Sequence, residues 1–137
     1  MKIVICGSMS SSVEMLAAKN ELVRMGHEVV LPHDTELYAT QVLKSETAHE
    51  STQNKIQGDL IRKYFEIIKN SDAVLVVNLD KNGVSHYIGG NSFLEIAFGH
   101  VLGKEVYILN ELPEMSYLDE LRAMQPTILY GDLSRLQ

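Results

Sequence analysis

The residues of this sequence best placed to do chemistry lie in the run Tyr87-Ile88-Gly89-Gly90-Asn91-Ser92-Phe93-Leu94-Glu95-Ile96-Ala97-Phe98-Gly99. Adjacent glycines, Gly89 and Gly90, let a backbone turn sharply and approach a ligand closely. Asn91 or Ser92 is expected to cap a helix running to about Leu102. That start puts Glu95 in the first turn, where free amides and the positive helix end favour an ionised carboxylate or a bound anion. An ionised carboxylate beside a pliable loop is the equipment of a nucleophile or an electrostatic stabiliser. The same residues also fit a capping box, Ser92-x-x-Glu95, in which serine and glutamate satisfy each other's backbone amides and no chemistry follows.

A second candidate is Gly7-Ser8-Met9-Ser10-Ser11-Ser12. It follows the β-branched run Lys2-Ile3-Val4-Ile5-Cys6 and precedes a helix expected from about Val13 to Met25. A hydroxyl-rich loop between a strand end and a helix start is where anions bind. With one glycine it is neither a P-loop nor a G-x-G-x-x-G turn. The serines could contact an anion or a ribose, or merely cap the helix. Cys6, the only cysteine, reads as a small buried hydrophobe and allows no internal disulfide. His33-Asp34 and His49-Glu50 are isolated His–acid pairs without a third ligand, so no metal is assigned.

These candidates need a scaffold. The 137 residues read as one domain with enough apolar content, 45%, for a core. A net charge of −6 argues against a nucleic-acid polymer as partner. The apolar runs are too short to span a bilayer, and the N-terminus does not read as a signal peptide, so a cytoplasmic protein is expected. The first helix should bury Leu16, Ala17, Leu22 and Val23 and end at Gly26. His27 to Leu31 reads as a second strand, stopped by Pro32. The segment from His33 to Gln57 has no clean pattern. A helix from about Gln53 to Asn70 should bury Ile56, Leu60, Ile61, Tyr64, Ile67 and Ile68, with Asp59 and Lys63 pairing on its surface. Tyr64 reads as core, its hydroxyl within reach of a site at the helix end.

Ala73 to Asn78 is the most apolar strand and should be central. Lys104 to Asn110 is a fourth strand, Tyr117 to Met124 a short helix, and Thr127 to Tyr130 a last strand before a frayed tail. The pattern predicts an α/β fold: a single-domain, Rossmann/flavodoxin-like open parallel sheet of about five strands, order 2-1-3-4-5, with helices on both faces. In that order strands one and three diverge at a crevice, the usual ligand site. The loops there are Gly7–Ser12 and Asn78–Ser92, which gathers Glu95, Ser8, Ser10, Ser11, Ser12, Asn78, Asp80, Tyr87, Gly89, Gly90, Asn91 and Ser92 around one pocket.

The chain resembles the nucleoside 2-deoxyribosyltransferase superfamily, which includes the 2'-deoxynucleoside 5'-monophosphate N-glycosidases. Ile5-Cys6-Gly7-Ser8-Met9 is similar to the family's first strand and turn. Asn70 to Val77 is similar to its central strand, and Gly90 to Gly99 to its glutamate-bearing helix start. The resemblance implies that Glu95 attacks the anomeric carbon of a nucleoside or nucleotide, releases the base and leaves a glycosyl ester for water or a second base to resolve. It also implies substrate contacts from the serine loop and the Asn91-Ser92 amides, no cofactor, and a homodimer. The acidic pair that the transferases carry before their glycine is replaced here by Ile88-Gly89-Gly90. Asp80, His86 and Tyr87 are the nearby candidates for a proton donor. Two rival readings use the same fold: a non-catalytic nucleotide-binding regulatory module, in which Glu95 is only a cap, and an unrelated flavodoxin-like binder.

Overall fold

A computed structural model describes residues 1–32 and 59–136. Five short apolar runs form one parallel sheet in the order β2-β1-β3-β4-β5. β1 is Lys2–Gly7, β2 Glu28–Val30, β3 Ala73–Val77, β4 Glu105–Ile108 and β5 Thr127–Ile128. The helices are α1 Ser12–Arg24, α2 Leu60–Lys69, α3 Gly90–Val101 and α4 Leu118–Ala123, with 3-10 turns at Met9–Ser11 and Leu133–Arg135. The expected α/β class and strand order are therefore observed. β1 pairs with β3 from Ile3 opposite Ala73 to Gly7 opposite Val77, so the two strands end level with each other.

Alternation along the strands divides the core, because successive side chains point to opposite faces. Ile3, Ile5, Ala73, Leu75, Val77 and Tyr107 face one side and pack with Met15, Ala18 and Leu22 of α1. Val4, Cys6, Val74, Val76, Val106 and Ile108 face the other, under Ile68 of α2, Ile96 of α3 and Leu121 of α4. β3 is buried along its whole length, as its uninterrupted apolar run predicts.

Several local expectations shift. The buried stripe of α1 is Ser12, Met15, Ala18 and Leu22, while Val23 is half exposed. A helix lying flat on a sheet needs only a narrow stripe, and Met15 fills it. β2 is three residues long rather than five. In α2, Ile61 is exposed and Phe65 instead packs edge-on against Phe98 of α3, ring centroids 5.3 Å apart. Asp59 pairs with Arg62 at 3.2 Å, not with Lys63. The C-terminal segment is docked rather than frayed: Leu133 and Leu136 are buried in the α1-side core. The expected helix residues 53–58, the His33–Gln57 segment and the pairs His33-Asp34 and His49-Glu50 lie outside the described residues. Among the described residues no helix is long and apolar enough to cross a membrane.

Candidate functional site

The site begins with the way α3 approaches the sheet. Its buried positions are Ser92, Ile96 and Gly99. A Cβ at position 99 would come within 3.0 Å of Val74 Cγ2 and 3.1 Å of Val106 Cγ2, so glycine is what lets the helix lie this close. Glu95 sits at the flank of that stripe, one residue before Ile96. Its carboxylate is thereby carried onto β1, where it accepts a hydrogen bond from the Cys6 thiol.

The helix starts earlier than the sequence suggests. Gly89 is the N-cap, with extended backbone, and the amide of Phe93 donates to the Gly89 carbonyl at 2.9 Å. Gly89 brings no capping side chain, and the first turn holds no acid. Glu95 is thus in the second turn. Neither the capping box nor stabilisation by the helix end applies to it, and Ser92 is buried. The consequence for charge is a reversal. Instead of being kept readily ionised, Glu95 is pushed by burial from 4.5 up to about 7, an effect the Cys6 hydrogen bond only partly offsets.

Two neighbours complete the surroundings of the carboxylate. Burial, then the charge of Glu95 and its hydrogen bond, raise the Cys6 thiol well above its ordinary value, so it stays a protonated donor rather than a nucleophile. Tyr64 of α2 packs against the same core, and its hydroxyl is buried without a hydrogen-bond partner among the described residues. Burial, followed by the proximity of Cys6 and Glu95, pushes that hydroxyl upward too, so it remains neutral. Cys6, Tyr64 and Glu95 are therefore one cluster drawn from β1, α2 and α3.

The rest of the site lies at the carboxyl ends of β1 and β3. Gly7 ends β1 in close quarters: a Cβ there would meet Met15 Sδ and the Val77 carbonyl, each at 3.0 Å. Ser8 caps the following 3-10 turn, its hydroxyl 2.9 Å from that of Ser10. Ser11 and Ser12 are buried under the start of α1, away from the exposed Ser10. Across the crevice, Lys81 donates to the Ser8 hydroxyl at 2.7 Å, a contact between residues 73 apart. Its ammonium also lies 5.7 Å from the centroid of the Tyr87 ring. Tyr87 covers Gly89, where a Cβ would lie 3.2 Å from the ring. Gly90 and Asn91 are exposed at the mouth.

Asn78 has a different occupation. It is fully buried, accepts from the Asn110 amide at 2.9 Å, and donates to the carbonyls of His86, Asn110 and Glu111. It ties the ends of β3 and β4 and the intervening loop together. Asp80 is likewise engaged, accepting from the His86 amide at 3.0 Å. Behind the loop, Tyr117 donates to the Ile88 carbonyl and stacks on Phe93 at 4.5 Å, which fixes the entry into α3. Lys81 and Cys6 were not among the expected site residues. The pairing of β1 with β3 brings Lys81 to Ser8, and the approach of α3 to the sheet brings Glu95 to Cys6; no local pattern marks either contact.

Comparison of the chain with protein-family models, with curated proteins and with solved structures finds no match in any of the three.

Proposed function

We propose that the protein cleaves the N-glycosidic bond of a nucleoside or nucleoside 5'-monophosphate, with Glu95 as nucleophile. The observation that carries this reading is the position of Glu95: a carboxylate not spent on the helix cap and held half-buried against the Cys6 thiol beside the β1–β3 crevice. A cap residue has no reason to be there, because burying an acid costs free energy. A residue that must meet a developing positive charge does. In the reaction one Glu95 oxygen bonds to the anomeric carbon as the carbon–nitrogen bond breaks. The base leaves with the bonding electrons and is protonated. Water, or a second base, then displaces the carboxylate from the ester.

The raised value suits this use. Close to pH 7 Glu95 is partly protonated, and the oxocarbenium character of the transition state favours the charged form. The motif resemblance at Gly7-Ser8, Asn70–Val77 and Gly90–Gly99 supports the same chemistry. It also supports a homodimer; the exposed Ile61, Leu94 and Val101 on α2 and α3 offer apolar surface for a second copy. A free, buried Cys6 fits a reducing, cytoplasmic setting.

The test is release of free base from a panel of ribo- and deoxynucleosides and their 5'-monophosphates, with and without a second base. Release from one substrate, abolished in Glu95→Gln, is the expected outcome. No release from any substrate, with a nucleotide still raising Tm, would leave a nucleotide-binding module instead.

A further inference from the structure

Tyr64 lies one turn before Ile68 on α2, and residues four apart share a helix face. Ile68 is fully buried in the half of the core that holds Cys6, so this face is the one laid on the sheet. α2 ends at Lys69, close to where β1 begins: the Asp72 amide donates to the Lys2 carbonyl at 2.9 Å. Earlier turns of α2 therefore lie further toward the carboxyl ends of the strands, and Tyr64 comes to Cys6 and Glu95. Its neighbour Phe65 fixes the helix sideways, edge-on against Phe98 of α3 at 5.3 Å.

Packing alone does not account for the hydroxyl. Phenylalanine would fill the same space, as Phe65 does beside it, and a buried hydroxyl that makes no bond costs free energy. Among the described residues the Tyr64 oxygen has no partner. Burial keeps it neutral, so it remains a donor. Glu95 has the complementary shortage. An ionised carboxylate offers about four acceptor sites, and a thiol is a weak donor. Among the described residues, Cys6 of β1 and Tyr64 of α2 are the titratable groups that bear on Glu95, and only Cys6 is bonded to it. The carboxylate is half-buried, so water reaches it while the crevice is open to solvent. A substrate over the crevice excludes that water, and Tyr64 is then the donor at hand.

We infer that Tyr64 is a positioning residue: when substrate fills the crevice, its hydroxyl donates to ionised Glu95 and leaves the other carboxylate oxygen turned to the anomeric carbon. The inference rests on the N-glycosidase reading for the reaction, while the Tyr64–Glu95 bond can be tested by binding alone. Tyr64 keeps its hydrogen throughout, and the bond weakens as the charge of Glu95 passes into the ester.

The experiment compares wild type with Tyr64→Phe. Where base is released, kcat and kcat/KM are followed from about pH 5.5 to about pH 9; kcat/KM reports the free protein and kcat the substrate complex. Loss of one hydrogen bond to a charged group should lower kcat/KM about 10-fold and raise the pH midpoint of kcat by about one unit, with the midpoint of kcat/KM unmoved. A ring that serves only as packing moves neither midpoint. An unchanged kcat/KM, or a kcat midpoint that stays in place, overturns the inference. Where no substrate releases base, the N-glycosidase reading falls and binding decides. The probes are the nucleosides of the panel, which carry no phosphate to titrate in this range, and Kd is read from their Tm shifts. A bound Glu95 that accepts from Tyr64 ionises more readily, so wild type should bind about 5- to 10-fold more tightly at pH 8 than at pH 5.5. Loss of that dependence in Tyr64→Phe and in Glu95→Gln supports the bond. The same dependence in Tyr64→Phe, or no nucleoside bound by wild type, overturns it. So does a clear fall in the Tm of Tyr64→Phe without ligand, which would show the hydroxyl already bonded.

Discussion

Replacing Glu95 by glutamine should make the protein more stable at neutral and alkaline pH, and the gain should disappear in acid. Glutamine has nearly the same shape and keeps an acceptor for the Cys6 thiol, but it cannot ionise. In the folded wild type Glu95 binds its proton up to about pH 7, whereas the unfolded chain releases it near 4.5. A group whose value is raised by folding supports the folded state fully below the unfolded value, and that support is lost as pH rises through the folded one. The gap between 4.5 and about 7 corresponds to about 3 kcal/mol. The difference in unfolding free energy between Glu95→Gln and wild type should therefore grow by about that amount from pH 4.5 to pH 8. For a chain of this length that is roughly 10 °C in Tm. Other carboxylates cancel in the comparison. Asp132, for example, is held low by its Ser134 hydrogen bonds and loses its contribution as pH falls, but it does so in both proteins. Urea melts of the pair at several pH values measure the difference directly. A carboxylate in a capping box gives the opposite sign, with glutamine losing about 1 kcal/mol once Glu95 ionises. A flat difference, or one that turns against glutamine as pH rises, refutes the placement of Glu95 described above.

Base release should rise with pH through a midpoint near 7, because only ionised Glu95 attacks; a pH–kcat/KM profile flat between 5.5 and 8.5 speaks against it. Gly99→Ala drives a methyl into Val74 and Val106, and should cost about 1–3 kcal/mol in urea unfolding while lowering turnover by lifting Glu95 off β1. Tyr64→Phe removes a buried hydroxyl that has no partner among the described residues, so its thermal midpoint should equal or exceed that of wild type; a clear drop would reveal a bond at that oxygen. Asn78→Ala strips the buried amide that joins β3, β4 and the His86 loop, and should cost about 3 kcal/mol in chemical denaturation.

The sheet was legible in the sequence because it rests on coarse signals. Five apolar runs separated by helical segments leave few ways to wind a right-handed parallel sheet. The crevice followed from that order. What could not be read were quantities that depend on one or two residues of register. Taking Asn91 or Ser92 as the cap places Glu95 in the first turn. The observed cap at Gly89 moves it to the second, and that small slip changes what dominates its charge from helix end to burial. Nothing local announces a glycine cap here, since Ser92 supplies a better side chain and then buries it. The stripe of α1 was misphased for a similar reason. Adjacent apolar residues at Met15, Leu16, Ala17 and Ala18 leave the facing side undetermined until a sheet is present. The Lys81–Ser8 contact spans 73 residues and exists only because β1 lies beside β3. The orphan hydroxyl of Tyr64 is invisible to any pattern, since a tyrosine on an apolar stripe ordinarily finds a partner.

Cys6 gives the molecule a built-in clock. It is the sole thiol of the chain, wholly inaccessible in the middle of the sheet, with Glu95 resting on it. A reagent that alkylates thiolates can reach it only when β1 is exposed, so the rate of modification under native conditions counts opening events rather than surface reactivity. Because the strand at stake lies between β2 and β3, those events are excursions that take the centre of the sheet apart. A ligand seated against Glu95 should slow the clock by the factor with which it favours the closed form, which turns one mass-spectrometric time course into a measure of occupancy that needs no turnover.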